Sequence, residues 1–189
     1  MDSLFGEYNP TVPNRIIFGQ GKASSLPSEV ENFGGKKALV LSGRTIADKT
    51  DTVRQVNESL GHLSTGVYSA LTQRAPLSSA VEAANLAVAE GVDTLVGVGG
   101  STISDAARMI AVLMTEGITT VDQLRELSHH QNFMLTPDLE GKPLPLQVSI
   151  PTTLSAGEFS MGGGNVIDEE AGHKIRVGHR RLYADLIVL

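Results

Sequence analysis

Apolar residues in this chain come in short runs, each ended by glycine, serine or proline. Ala38-Leu39-Val40-Leu41 stops at Ser42-Gly43, and Thr94-Leu95-Val96-Gly97-Val98 stops at Gly99-Gly100. Runs of this length, apolar at consecutive positions, predict strands covered on both faces, as in a parallel sheet. Leu186 to Leu189 reads the same way; Leu146 to Ile150 predicts another strand, Arg15 to Gly19 an opening strand and Gly66 to Ser69 a further one. Between these runs the spacing becomes helical. Asp48 to Leu60 places Val53, Val56 and Leu60 on one face, as an amphipathic helix requires. After Pro76, Ser79-x-x-Glu82 reads as a capping box opening an Ala/Val-rich helix that runs to about Glu90 and ends at Gly91. Ile103 to Thr115 predicts the helix after the 94–98 strand, and Val121 to Leu127 a short helix in the otherwise polar stretch 117–146. This alternation, without repeat or linker, predicts an α/β fold: a Rossmann-like parallel sheet with helices on both faces, as one domain over 1–189. A buried strand in the last residues is unusual for a terminus, and is expected where a larger protein would continue.

Composition narrows the function. The chain has 189 residues, 15 Lys+Arg against 21 Asp+Glu and a net charge of −6, with no long basic run, which argues against nucleic acid as partner. It contains no cysteine, so disulfides, thiolate nucleophiles and zinc–cysteine sites are excluded. Aromatic residues make up 4% and Trp is absent, against an aromatic-lined platform for sugars or single strands. Met1 to Pro13 lacks the basic and apolar regions of a secretory signal, and no stretch approaches the roughly 20 apolar residues of a membrane span. The expectation is a cytoplasmic protein acting on a small molecule, with no membrane partner.

Two segments carry candidate chemistry. Gly99-Gly100-Ser101-Thr102 lies between a strand and a helix. Glycine lets the backbone approach a ligand, and the free N–H groups of a helix start attract phosphate. The pattern is not GxGxxG, and a tight turn without ligand gives the same signal. Pro151-Thr152-Thr153-Leu154-Ser155-Ala156-Gly157-Glu158 follows another strand and puts hydroxyls where α/β sheets bind ligands. A helix start with Ser155 as N-cap and Glu158 three residues on is the competing reading. The histidines, His62, His129, His130, His173 and His179, show no HxxxH or HExxH spacing, so no metal site is expected from this chain alone. The run from His173 to Arg181 is locally basic and reads as a solvated face or as a contact for an anionic substrate.

Together the two segments resemble the iron-type (group III) alcohol dehydrogenase superfamily, closest to its maleylacetate reductase-like branch. Gly99 to Arg108 is similar to its run of three glycines and a serine, with Asp three residues on and Lys three further; here these positions hold Ser101, Thr102, Asp105 and Arg108. Pro151 to Glu158 is similar to its Pro-Thr-Thr segment, Arg15 to Gly21 to its opening strand, and Asp168 to Lys174 with Leu186 to Leu189 to its β-ribbon and final first-domain strand. The resemblance implies the N-terminal domain of the dehydroquinate synthase-like fold. NAD or NADP would lie with its pyrophosphate on Gly99, Gly100, Ser101 and Thr102. Ser42, Thr152, Thr153 and Ser155 would complete the cofactor site, with Asp105 steadying the loop or the nicotinamide carboxamide. Ser42-Gly43-Arg44 stands where the family often has an acid, which leaves NADP no less plausible than NAD. The helical metal-binding domain of the family is absent from this stretch. A complementary helical domain, or a second copy in a homodimer, is expected to cover the exposed face.

Glu158, Asp105, His173 and His179 are the acid/base candidates near the implied cleft. Three readings follow. The first is the NAD(P)-binding half of an oxidoreductase, truncated or completed by another chain. The second is a stand-alone enzyme turned to a non-redox step, such as isomerisation, dehydration or cyclisation, in a biosynthetic pathway. The third is a non-catalytic nucleotide-binding module.

Overall fold

The computed structural model describes residues 6–8, 15–160 and 162–189. Most of the Met1 to Pro13 segment read above therefore lies outside the described residues. The strands are β1 (Gly6–Tyr8), β2 (Arg15–Phe18), β3 (Ala38–Ser42), β4 (Ser64–Tyr68), β5 (Thr94–Gly99), β6 (Met134–Leu135), β7 (Leu146–Pro151), β8 (Gly163–Asp168), β9 (His173–Gly178) and β10 (Leu186–Val188). The α-helices are α1 (Leu26–Asn32), α2 (Arg44–Lys49), α3 (Thr52–Leu60), α4 (Leu77–Glu90), α5 (Ser101–Glu116) and α6 (Val121–His130).

Seven strands form one sheet in the order β1-β2-β10-β7-β5-β3-β4. β1 is antiparallel to β2, and every other pairing is parallel. The apolar runs form the middle of this sheet. β3 is buried throughout, and so is β5. Alternation then divides the core between two faces. Leu39, Leu41 and Leu95 pack with α4 and α5, whereas Ala38, Val40, Val96 and Val98 pack with α1 and α3. The architecture is the expected Rossmann-like α/β sheet with helices on both faces.

Three local expectations need correction. The 48–60 helix is two helices, because Thr50 is extended (φ −137°, ψ 158°) and turns its hydroxyl back to the Ile46 carbonyl at 2.7 Å. The apolar face holds in the second piece, where Val53, Val56 and Leu60 are buried. Next, α4 starts at Leu77 behind Pro76, with no side-chain cap. Ser79 and Glu82 are drawn instead to the Tyr68 hydroxyl, which donates to Glu82 Oε2 at 2.8 Å. The capping box occurs on α6, where Thr120 Oγ1 accepts from the Gln123 amide at 3.2 Å and Gln123 Oε1 accepts from the Thr120 amide at 3.1 Å. Finally, Ser155 and Glu158 open no α-helix. A 3₁₀ turn, Gly157–Phe159, stands there behind Ala156 at φ 55°.

A second, three-stranded sheet of order β6-β9-β8 packs over α5. A Cβ on Gly164 would stand 2.5 Å from the Asp105 carbonyl oxygen and 3.0 Å from Arg108 Cβ. The missing side chain at Gly164 is what lets β8 lie on this helix.

Candidate functional site

The carboxyl ends of β3 and β5 mark the point where strand order reverses: the chain adds β4 outside β3, then returns to place β5 on the other side. Ligands of open α/β sheets bind at such a switch point. Here it opens into a cleft of about 470 Å³, lined by Gly43 to Ile46 after β3, Leu71 to Gln73 after β4, and Gly99, Gly100, Thr102 and Ile103 after β5.

The β5 side of the cleft is nearly bare backbone. A Cβ on Gly99 would run into the Ile103 side chain, and one on Gly100 would stand 2.9 Å from Thr153 Oγ1. Gly100 caps α5 without a side-chain hydrogen bond, so the first amides of this 16-residue helix keep their donors at its positive end. Ser101, which stands where the family has a third glycine, does not line the cleft. It lies against Gly157, where an added Cβ would be 2.6 Å from Ser101 Cβ.

The other sequence candidates differ in where they stand relative to this loop. Thr152 and Thr153 flank the loop: the Thr152 amide donates to the Gly99 carbonyl at 3.0 Å, and Thr153 adjoins Gly100. Ser155 is exposed and accepts from the Gly157 amide at 3.4 Å. Ser42 is buried, its hydroxyl donating to the Val98 carbonyl at 2.8 Å, so this hydroxyl joins β3 to β5. Asp105, in the first turns of α5, accepts from Asn165 Nδ2 at 2.5 Å and lies 3.5 Å from Arg108 Nη1. Burial pushes its carboxyl pKa up, against the pull of Arg108 and of the Asn165 hydrogen bond. Glu158 is buried beside the Arg108 guanidinium.

The two histidines stand apart from the cleft lining. His173 packs on Phe133, with ring centroids 4.0 Å apart, and edges His129 at 6.1 Å. His179 lies 3.7 Å from Glu140. Among the described residues no three His, Asp or Glu side chains group to hold a metal, and no helix is long and apolar enough to cross a membrane.

Sequence reasoning missed Leu71 to Gln73 and Asn165, which sit in stretches with no motif. It named Arg108 without its partners. Arg44 was in view: it lines the cleft, exposed, with no hydrogen bond or ion pair among the described residues.

The family model for iron-containing alcohol dehydrogenases matches residues 13–189. This chain belongs to that family. It is 33% identical over 100 residues to maleylacetate reductase 2 of Cupriavidus pinatubonensis, covering 53% of this chain and 27% of that protein. It is 30% identical over 183 residues to long-chain-alcohol dehydrogenase 1 of Geobacillus thermodenitrificans, covering 93% of this chain and 44% of the other. In fold it is similar to the crystal structure of NADH-dependent butanol dehydrogenase A from Thermotoga maritima, with TM-score 0.76 and 24% identity over 96% of this chain and 43% of that one. The chain thus spans less than half the length of the relatives it matches along most of its sequence.

Proposed function

We propose that this chain is the dinucleotide-binding half of a carbonyl- or enone-reducing oxidoreductase, with a small molecule as substrate. The observation that carries this reading is the bare Gly99-Gly100 backbone at the start of α5, opening on the switch-point cleft. The fit is specific in its sterics: Ile103 leaves no room for a Cβ on Gly99, a Cβ on Gly100 would displace Thr153, and Ser101 is turned against Gly157. A pyrophosphate would rest on the amides of Gly100 to Thr102, with the Thr102 hydroxyl as a further donor. Thr152 and Thr153 would flank the dinucleotide on the β7 side. When bound, the nicotinamide supplies a hydride. Arg44 would face the ribose, where it suits a 2′-phosphate, so NADP is accepted at least as well as NAD.

Ser101 lies against Gly157 and outside the cleft lining, so its side chain is compatible with a phosphate on the loop backbone. In the family a second domain supplies the metal ligands; among the described residues no His, Asp and Glu side chains group to hold one. Leu154 is fully exposed and Phe159 41% exposed beside the loop. This apolar face is where we place a complementary domain or a second copy.

Titration of the chain with NADPH and NADH, followed by nicotinamide fluorescence, tests the reading. Micromolar binding of either supports it. Absence of binding at millimolar concentration overturns it and returns the non-redox reading.

A further inference from the structure

Arg108 lies two turns into α5, 2% exposed, and the dinucleotide reading makes no use of it. Its Nε donates to the Leu182 carbonyl at 3.1 Å. Nη1 donates to the Gly163 carbonyl at 2.9 Å and lies 3.5 Å from Asp105. Nη2 donates to the carbonyls of Gly157 and Glu158 at 2.9 and 3.3 Å. Four backbone carbonyls from three separate segments therefore converge on one planar fork. Burial favours its neutral form, while the Asp105 and Glu158 carboxylates favour the charged one; a guanidinium keeps its proton in that contest.

Two of the four carbonyls belong to the turn that rests on Ser101. The room between them is less than one methyl group, since a Cβ on Gly157 would be 2.8 Å from Ser101 Cα. The same segment carries Thr153, which adjoins Gly100. One helix thus presents its first turn to the cleft and, two turns further on, grips the segment that flanks its Gly99-Gly100 loop.

We propose that Arg108 is the positioning residue of the dinucleotide groove, fixing the spacing between the Gly99 to Thr102 loop and the Thr152 to Glu158 segment; the groove's ligand rests on the reading given under Proposed function. Lysine, which the family resemblance places at this position, would not reproduce the four-carbonyl grip that this chain shows. Its compact ammonium has three donors and no planar fork, and cannot span carbonyls that approach from three segments.

The test combines backbone hydrogen exchange with NADPH and NADH titration on the 189-residue chain, comparing the natural protein, Arg108→Lys and Gly157→Ala. Arg108→Lys should speed exchange in residues 155–160 at least tenfold while β3 and β5 keep their protection, and should weaken dinucleotide binding at least tenfold. Gly157→Ala leaves Arg108 intact but pushes the turn off Ser101, and should weaken binding by a similar factor. Unchanged exchange at 155–160 in Arg108→Lys, or unchanged affinity in both variants, overturns the proposal. Should Arg108→Lys lose protection throughout, Gly157→Ala alone decides, and natural affinity in that variant overturns the proposal. If the natural protein binds neither nucleotide, the dinucleotide reading fails, while the local exchange result still decides whether Arg108 holds the turn.

Discussion

Asn165 and Asp105 join the small sheet to the helix that opens the cleft: Asn165 Nδ2, on β8, donates to Asp105 Oδ2 at 2.5 Å. The carboxylate is partly desolvated, which raises its pKa, so this hydrogen bond to the charged form is one of the interactions opposing that rise. Replacing Asn165 by Ala removes the donor and leaves the charge. The expected loss of stability is about 1–3 kcal/mol, read as a lower urea midpoint with an unchanged slope. Asp105→Asn in the same background should recover part of it, because the neutral amide is cheaper to bury.

Gly100 faces Thr153, not open solvent, and this alters what a substitution there should do. A Cβ meets Thr153 Oγ1 at 2.9 Å, and Thr153 can rotate away from a single methyl group. Gly100→Ala should therefore fold and bind with moderately reduced affinity. Gly100→Val adds branches that crowd Thr153 and the phosphate path together, and should abolish dinucleotide binding in the fluorescence titration. Unchanged affinity in the valine variant would move the site elsewhere.

Arg44 tests the choice of nucleotide. It lines the cleft at the end of β3 with no protein partner among the described residues, so its removal costs the fold little. Arg44→Ala should lower NADPH affinity by about tenfold, the loss of one charge-assisted contact to phosphate, and leave NADH affinity nearly unchanged. Equal losses for both nucleotides would place Arg44 on the pyrophosphate instead.

The sheet was legible in the sequence because β3, β5 and β10 are buried on both faces and so read as unbroken apolar runs. Both glycine and hydroxyl loops were legible because they follow such runs. The small sheet was legible only in part: the resemblance placed a β-ribbon at Asp168 to Lys174, where β8 turns into β9, whereas β6 is only Met134–Leu135, too short to show a period. Capping boxes were ambiguous for a different reason. Ser79-x-x-Glu82 and Thr120-x-x-Gln123 share one spacing, and only the arrival of the Tyr68 hydroxyl at the first pair decides between them. Arg108 could be aligned but not interpreted, since all four of its hydrogen-bond acceptors are backbone carbonyls, and carbonyls leave no mark on a sequence. The standing of Ser101 likewise depends on a turn 56 residues further on, at Gly157.

Arg125 and Asp168 give a pH dependence with a definite sign. Asp168 is 1% exposed and accepts from Arg125 Nε and Nη2 at 2.7 and 3.0 Å, and from the Glu170 and Ala171 amides at 3.1 and 3.2 Å. Hydrogen bonding from Arg125 holds its pKa below the ordinary carboxylate range, more than burial raises it. A carboxyl whose pKa is depressed on folding contributes stability above its unfolded pKa, near 3.9, and loses it as pH falls through the lower folded value. The thermal midpoint should therefore drop as pH is taken below about 4. Asp168→Asn removes the titrating group while keeping its shape, so this variant should be less stable at neutral pH and should show a shallower fall in acid. The β8–β9 hairpin should loosen first, because Asp168 closes it at the turn and Arg125 ties that turn to α6. A variant whose acid profile overlays that of the natural protein would show that the acid response arises at other carboxylates.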